Sequence, residues 1–224
     1  MNNQKIRIIK DGPYIVTGGI PLSEKVIVSK GNVNVFEEGR LFPQQKEYAL
    51  CRCGNSKNAP YCDGTHQDIE FDGTETASKA KYLNRAELLE GPELDLLDDN
   101  RCAYARFCHQ KHGNVWQLTE RSNNETFKAE AIKAASECPT GRLVAVDKDG
   151  KHIEPTHIPS IDIIQDPEEN VSSGLFVKGY IPIESSDGET YELQNRVMLC
   201  RCGQSKNKPF CNADHVSAEY NDGL

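Results

Sequence analysis

The chain has 224 residues, of which 26 are basic and 34 acidic, so its formal net charge is −8. Apolar residues make up 37% of the sequence, and no run approaches the roughly eighteen consecutive apolar residues that a membrane span requires. The acidic excess lies in the last third, where residues 158–224 carry 5 basic and 11 acidic side chains. Because binding to nucleic acid needs clustered cations, this charge distribution argues against a nucleic-acid partner.

The cysteines are the most informative feature of the composition. Residues 1–11 contain neither the apolar core of a secretory signal nor an Arg-rich amphipathic segment, so we expect a cytoplasmic protein. A reducing cytosol keeps thiols free, and a disulfide framework needs an even number of cysteines, whereas this chain has nine. Metal binding is therefore the favoured role. The cysteines form three groups of three: Cys51, Cys53 and Cys62; Cys102, Cys108 and Cys138; Cys200, Cys202 and Cys211.

The first group contains two pairs of candidate metal ligands. Cys51 and Cys53 are two residues apart, so in an extended chain their side chains point the same way. His66 follows Cys62 by four residues, a spacing that brings two side chains to one face of a helical turn. Each pair could bind the same metal centre through two donors.

The middle group resembles a known iron–sulfur pattern. Cys102 and Cys108 are followed 30 residues later by Cys138, which precedes a proline. This arrangement is similar to that of bacterial-type ferredoxins with one cluster, whose run is Cys-x2-Cys-x2-Cys with a later Cys-Pro. Ala105 occupies the central position, and its methyl group cannot bind iron, so the pattern resembles [3Fe–4S] ferredoxins and related divergent mono-cluster domains. A [4Fe–4S] centre would need another ligand, for which the candidates are His109, His112 or an exogenous group.

The residues around the middle group predict one helix and two strands. Apolar residues recur every three or four positions over 125–137, behind Asn123 and Asn124, which predicts a helix with an asparagine cap. Segments 114–119 and 142–147 alternate between apolar and polar residues, which predicts two short strands. We expect the helix and strands to fold over the cluster.

The third group of cysteines repeats the pattern of the first group, at a distance of 149 residues along the chain. Cys200 and Cys202 are again two residues apart, and His215 again follows Cys211 by four residues. The same chain positions carry an arginine, a serine and a proline in both copies. The chain therefore contains an internal repeat of one ligand pattern.

The repeat extends upstream of the ligands. Residues 14–22 match residues 175–183, and β-rich runs follow at 25–29 and 191–199. These segments are rich in Val, Ile, Tyr and Phe and are bounded by turn residues, which predicts short strands. Each ligand loop is thus expected to hang on a small β-structure.

The shared pattern, Cys-x-Cys-x2-Ser-x3-Pro-x-Cys-Asp-Gly-x-His, resembles the CDGSH-type iron–sulfur motif of the mitoNEET-like family. The second copy departs from that pattern at residues 212–214, where it reads Asn-Ala-Asp. The resemblance implies a [2Fe–2S] cluster in each copy, bound by three Cys and one His. In the first copy it implies Cys51 and Cys53 on one iron. Cys62 and His66 would then bind the other iron, and the second copy would divide its ligands in the same way.

Because iron–sulfur clusters accept and donate single electrons, we expect an electron-transfer protein with two [2Fe–2S] clusters and one [3Fe–4S] or [4Fe–4S] cluster, acting with a redox partner that the sequence does not name. The alternative is a protein that stores or transfers clusters or senses redox state, because one imidazole is easier to displace than a thiolate. The competing interpretation of each flanking motif is a structural zinc site. For the middle group the competing interpretations are a zinc site or buried free thiols. No nucleophile elbow or phosphate-binding loop occurs, so we do not expect an enzyme.

These patterns predict an α+β fold in which two small β-rich CDGSH units surround a small α/β ferredoxin-like unit. The predicted domains are 1–78, 79–157 and 158–224. Because two such units pair across a two-fold axis in the resembled family, we expect either a monomer that pairs its own repeats or a homodimer.

Overall fold

The computed structural model describes residues 3–223 and has an α+β fold, as predicted. The first third contains β1 (Lys5–Ile8), β2 (Tyr14–Thr17), β3 (Leu22–Lys30), β4 (Val33–Leu41), β5 (Glu47–Leu50) and α1 (Thr65–Asp68). The middle third contains α2 (Tyr82–Arg85), β6 (Glu87–Leu89), β7 (Asp95–Asp98), β8 (His109–Gln110), β9 (Gly113–Asn114), α3 (Val115–Glu120), α4 (Glu125–Glu137), β10 (Leu143–Val146) and β11 (His152–Ile153). The last third contains β12 (Ser160–Asp166), β13 (Val171–Lys178), β14 (Ile183–Glu184), β15 (Arg196–Leu199) and α5 (Asp214–Ser217).

The first and last thirds exchange strands. Strands β1, β2 and β5 form an antiparallel sheet, and β14 from the last third pairs in parallel with β1. Strands β12, β13 and β15 form the equivalent sheet, and β3 from the first third pairs in parallel with β12. The registers correspond, since Ile6 is opposite Ile183 in one sheet and Ile161 is opposite Leu22 in the other. Each β-rich unit is therefore completed by a strand of its partner repeat.

One apolar core joins the two repeats. Because side chains alternate across a strand, β2 buries Tyr14 and Val16 while the residues between and after them are only partly buried. The same core takes side chains from β12, β13 and β15 of the other repeat, including Ile161, Ile163, Leu175, Val177, Val197 and Leu199. Burial of apolar surface from both repeats stabilises their association.

In the middle unit, helices α3 and α4 pack against the sheet formed by β11, β10, β7 and β6, in that order. The prediction of a helix over 125–137 is confirmed, and Asn124 caps it by accepting hydrogen bonds from the amides of Thr126 and Phe127 at 2.9 and 3.3 Å. The buried face of α4 consists of Ala131, Ala134 and Ala135. Among residues 3–223, no helix is both long and apolar enough to cross a bilayer.

The predicted strand over 114–119 is wrong, because most of this segment is the helix α3. The side chain of Asn114 accepts a hydrogen bond from the Gln117 amide at 3.0 Å, and the Gln117 side chain accepts one from the Asn114 amide at 3.3 Å. This capping box starts a helix at Val115. Val115 and Leu118 are buried three positions apart, so the apolar pattern that resembled alternation belongs to one helical face.

The other strand predictions hold in part. The segment 25–29 lies inside β3, and 142–147 contains β10. Of the β-rich run 191–199, only the part from Arg196 to Leu199 is a strand. The ligand loops hang on the β-structure as expected, since Cys51 directly follows β5 and Cys200 directly follows β15.

Candidate metal centres

The N-terminal site consists of two donor pairs in the loop after β5. The Sγ atoms of Cys51 and Cys53 are 3.6 Å apart, and the Cys62 Sγ atom lies 3.3 Å from His66 Nδ1. A tetrahedral metal atom with metal–sulfur bonds of about 2.3 Å separates two thiolate ligands by roughly 3.8 Å. Each pair therefore has nearly the spacing that one metal atom requires.

The C-terminal site repeats this geometry after β15. The Sγ atoms of Cys200 and Cys202 are 3.6 Å apart, and Cys211 Sγ lies 3.4 Å from His215 Nδ1. Within residues 3–223, no three His, Cys, Asp or Glu side chains converge on a point where one ion could bind them all. At both sites the four donors thus stand as two pairs.

The two sites differ in their exposure. Cys62 and His66 at the N-terminal site are only partly buried. At the C-terminal site all four donors are buried, and His215 is 2% exposed. Burial lowers the pKa of His215 to about 4, so its imidazole is neutral, which is the form that binds metals.

A serine holds each ligand loop in shape. Ser56 Oγ donates a hydrogen bond to the Tyr61 carbonyl at 2.6 Å and accepts one from the Asn58 amide at 3.1 Å. In the second copy Ser205 donates to the Phe210 carbonyl at 2.7 Å. The shared serine of the two motifs is thus a loop-forming residue, as local bonding by serine would produce.

Main-chain amides face the first thiol of each Cys pair. The hydrogen bond from the Cys53 thiol, together with the amides of Ser56 and Gly54, holds the pKa of Cys51 below its usual value although burial opposes this shift. The equivalent donors lower the pKa of Cys200. These amides stabilise negative charge on sulfur, the form in which cysteine binds metals.

A buried arginine lies between the cysteines of each Cys-x-Cys pair. Arg52 and Arg201 are each 2% exposed. Arg52 donates to three main-chain carbonyls, those of Ile9, Gly12 and Gly73. Arg201 donates to the carbonyls of Ile164 and Ser173 and forms an ion pair with Asp222. Each copy therefore fixes a buried guanidinium on the residue between its first two cysteines, and the Cys-Arg-Cys recurrence is the sequence signal for it.

The middle site brings its three cysteines to one cavity. Cys102, Cys108 and Cys138 line this cavity together with Ala105. Burial, and then the neighbouring thiols of Cys138 and Cys102, raises the pKa of Cys108 to about 11. The cavity therefore gathers three thiols, and a methyl group stands where a ferredoxin would have a fourth.

Neither candidate histidine lines this cavity. His112 Nδ1 lies 2.7 Å from a carboxylate oxygen of Glu130. His109 is exposed, with Nδ1 3.9 Å from the Cys108 Sγ atom. The structure brings together the three predicted cysteines but leaves both histidines at the surface.

An ion pair that the sequence does not reveal borders the middle cavity. Arg142 and Trp116 line the cavity. The Arg142 guanidinium lies 2.7 Å from a carboxylate oxygen of Asp98, which also accepts a hydrogen bond from Trp116 Nε1 at 3.1 Å. Because β7 and β10 pair, these distant residues meet only in the fold.

Comparison with protein families assigns all three regions. The family described as "Iron-binding zinc finger CDGSH type" matches residues 11–67 and 173–216, and the family described as "Divergent 4Fe-4S mono-cluster" matches residues 89–148. Comparisons with curated proteins and with solved structures gave no match. The chain is an iron–sulfur cluster-binding protein. It carries two CDGSH-type iron-binding domains that flank a divergent 4Fe-4S mono-cluster domain.

Proposed function

We propose that this chain is an electron-transfer protein that binds a [2Fe–2S] cluster at each CDGSH site and a [3Fe–4S] cluster at the middle site. The observation that carries the proposal is the division of each CDGSH donor set into two pairs, one pair for each iron of a two-iron centre. Iron–sulfur clusters exchange single electrons at potentials set by their ligands and surroundings. The chain would serve as a carrier between redox partner proteins rather than as an enzyme.

The assigned ligands follow the geometry of the pairs. At the N-terminal site Cys51 and Cys53 would hold one iron, and Cys62 with His66 the other. At the C-terminal site the corresponding ligands are Cys200, Cys202, Cys211 and His215. Arg52, whose guanidinium donates to main-chain carbonyls, would offset part of the negative charge that thiolates and bridging sulfides bring into the N-terminal site. At the C-terminal site the charge of Arg201 is already balanced by Asp222.

The middle site supports three irons better than four. Cys102, Cys108 and Cys138 supply three thiolates, while Ala105 supplies no donor. His112 is engaged by Glu130, which removes one candidate for a fourth ligand. A [4Fe–4S] centre, the alternative, would then need His109 or an exogenous ligand at its fourth iron.

The exposure of the N-terminal site favours a second function, transfer of a cluster to an apo-protein. Cys62 and His66 are partly open to solvent, whereas their equivalents at the C-terminal site are buried. A thiol of an acceptor protein could approach Cys62 and His66 and displace the imidazole. Transfer would then be confined to the N-terminal cluster.

One experiment separates the two functions. The anaerobically purified protein is mixed with an apo-ferredoxin, and the visible absorption of each protein is followed after separation. Electron carriage predicts that the chain keeps its absorption and undergoes fast, reversible reduction by dithionite. Loss of absorption matched by a gain in the acceptor would support cluster transfer instead, and a colourless protein containing zinc would contradict both.

A further inference from the structure

The C-terminal site is in main-chain contact with the N-terminal site. A Cβ atom added to Gly54 would overlap the carbonyl oxygen of Cys202, and one added to Gly203 would lie 2.5 Å from the carbonyl oxygen of Cys53. Both glycines have positive φ angles, 79° and 77°, which other residues rarely adopt. The two ligand loops therefore approach each other too closely for a side chain to fit between them.

The C-terminal site also contacts the middle site. This contact is made at Cys211, whereas the contact with the N-terminal site is made at Cys202. Cys211 belongs to a buried cluster with Ala103, Ala105 and Phe107. These three residues lie between Cys102 and Cys108 in the chain, and all three also line the middle cavity. The wall of the middle cavity is thus in the same packed layer as a ligand of the C-terminal site.

Solvent reaches ligands of the N-terminal and middle sites, which are called the outer sites below, but not those of the C-terminal site. Cys62 at the N-terminal site and Cys102 and Cys108 at the middle site are partly exposed. Cys200, Cys202, Cys211 and His215 are all at most 5% exposed. A partner protein could therefore approach a ligand of either outer site, whereas the C-terminal site presents no exposed ligand.

We propose that the C-terminal site is an internal relay, and that electrons enter and leave this chain through the N-terminal and middle sites. The proposal rests on the electron-transfer function proposed above. One electron would pass from a one-electron donor protein to one outer site, then to the C-terminal site and on to the other outer site. It would leave to a one-electron acceptor protein, so the donor is oxidised, the acceptor is reduced, and no bond is formed or broken.

Magnetic interaction between reduced centres tests this order. Such interaction broadens EPR signals and speeds their relaxation, and it falls steeply with distance between the centres. The matched variants Cys53→Ala and Cys202→Ala remove the same ligand from the N-terminal and C-terminal sites. In the dithionite-reduced protein the middle three-iron centre is paramagnetic but gives no conventional signal, and each variant leaves one two-iron signal. We expect the C-terminal signal that remains in Cys53→Ala to relax fast, because the middle centre is near, and the N-terminal signal that remains in Cys202→Ala to relax slowly. Equal relaxation of the two signals, or faster relaxation in Cys202→Ala, would overturn the relay.

A second variant keeps the test decisive if Cys202→Ala does not fold, as judged by circular dichroism. His215→Cys retains four ligands and should shift the potential at which the C-terminal centre is reduced. In a redox titration this shift identifies the C-terminal two-iron signal, as the shift in His66→Cys identifies the N-terminal one. Once the middle centre is reduced, the C-terminal signal should relax faster than the N-terminal signal. An N-terminal signal that relaxes as fast as the C-terminal one would refute the relay. Wild-type protein without reducible clusters would refute the proposed function itself, so the two failures are distinguishable.

Discussion

The hydroxyl of Tyr14 donates a hydrogen bond to the main-chain carbonyl of Cys200 at 2.7 Å. Tyr14 is fully buried on β2 of the first repeat, while Cys200 opens the ligand loop of the second. The same hydroxyl lies 3.2 Å from the carbonyl of Pro209, in the same loop. The first repeat thus supports the ligand loop of the second from within the shared core.

Replacement of Tyr14 by Phe should destabilise the protein. The ring would still fill the core, but the Cys200 carbonyl would lose its hydroxyl donor, while the Pro209 carbonyl keeps the hydrogen bond from the Cys200 amide at 2.8 Å. A buried polar group left without its partner costs about 1–3 kcal/mol, which urea denaturation would detect. Tyr104→Phe, at an exposed position, is the control and should change the free energy of unfolding little. Equal stability of Tyr14→Phe and the wild type would contradict the importance of this bond.

Gly64 and Ala213 occupy the same position in the two repeats, two residues before the ligand histidine, so the pair allows a matched test of backbone strain. Gly64 and Ala213 precede α1 and α5 with φ angles of 94° and 71°, in the left-handed region. No atom lies within 4 Å of a Cβ added to Gly64, so a substitution there acts through the backbone. We expect Gly64→Ala to lower the free energy of unfolding by about 1 kcal/mol and Ala213→Gly to raise it by about as much. Thermal denaturation gives the two signs, and shifts in the same direction would contradict this account.

Replacement of a ligand histidine by cysteine should lower the potential of its cluster. A thiolate adds negative charge where a neutral imidazole stood. Rieske centres, with two His ligands, have potentials of about −150 to +300 mV, against about −400 mV for plant-type ferredoxins with only Cys ligands. Redox titration followed by EPR should therefore show lower potentials in His66→Cys and in His215→Cys. His112→Gln, at a residue bound to Glu130, is the control, and unchanged potentials in both ligand variants would count against the assigned ligands.

His157 should make the stability of the fold depend on pH. Burial, and then the charges of Lys178 and Arg196, lowers the pKa of His157, although Glu154 and Asp162 oppose the shift. Its buried Nε2 atom has no hydrogen-bond partner among the described residues, and its ring packs edge-on against Phe176.

The sign of this dependence follows from the lowered pKa. The unfolded chain binds a proton at His157 near pH of about 6.5, and the folded chain only at lower pH. The contribution to stability is therefore complete above that value and is lost as the pH falls below it. Urea denaturation at several pH values should show a weaker loss towards acid pH in His157→Gln than in the wild type. Identical pH dependence of the two proteins would rule out this role.

Local features of the fold could be predicted from the sequence, because they depend on neighbours in the chain. The spacing of Cys62 and His66 fixes one donor pair within a single loop, and the Asn124 cap fixes the start of α4. The sequence predicts a strand over 114–119 because six residues are too few to distinguish a period of two from one apolar face of a helix. The capping box at Asn114 makes this segment helical.

Long-range features could not be predicted in the same way. The exchange of β3 and β14 depends on parallel pairing between residues far apart, such as Ile6 and Ile183. The Asp98–Arg142 pair beside the middle cavity likewise requires the fold to bring its members together. The difference in exposure between the two CDGSH sites also depends on packing between distant parts of the chain. The middle unit packs on Cys211, whereas His66 stays partly exposed.

The central claim, that three iron–sulfur clusters occupy the three cysteine groups, is tested most directly by iron and acid-labile sulfide analysis with EPR. Two [2Fe–2S] clusters and one [3Fe–4S] cluster predict about seven irons and about eight sulfides per chain. The oxidised protein should show the signal of a three-iron centre, and the reduced protein the signals of the two-iron centres. Anaerobically prepared protein that contains zinc and lacks labile sulfide would contradict the claim.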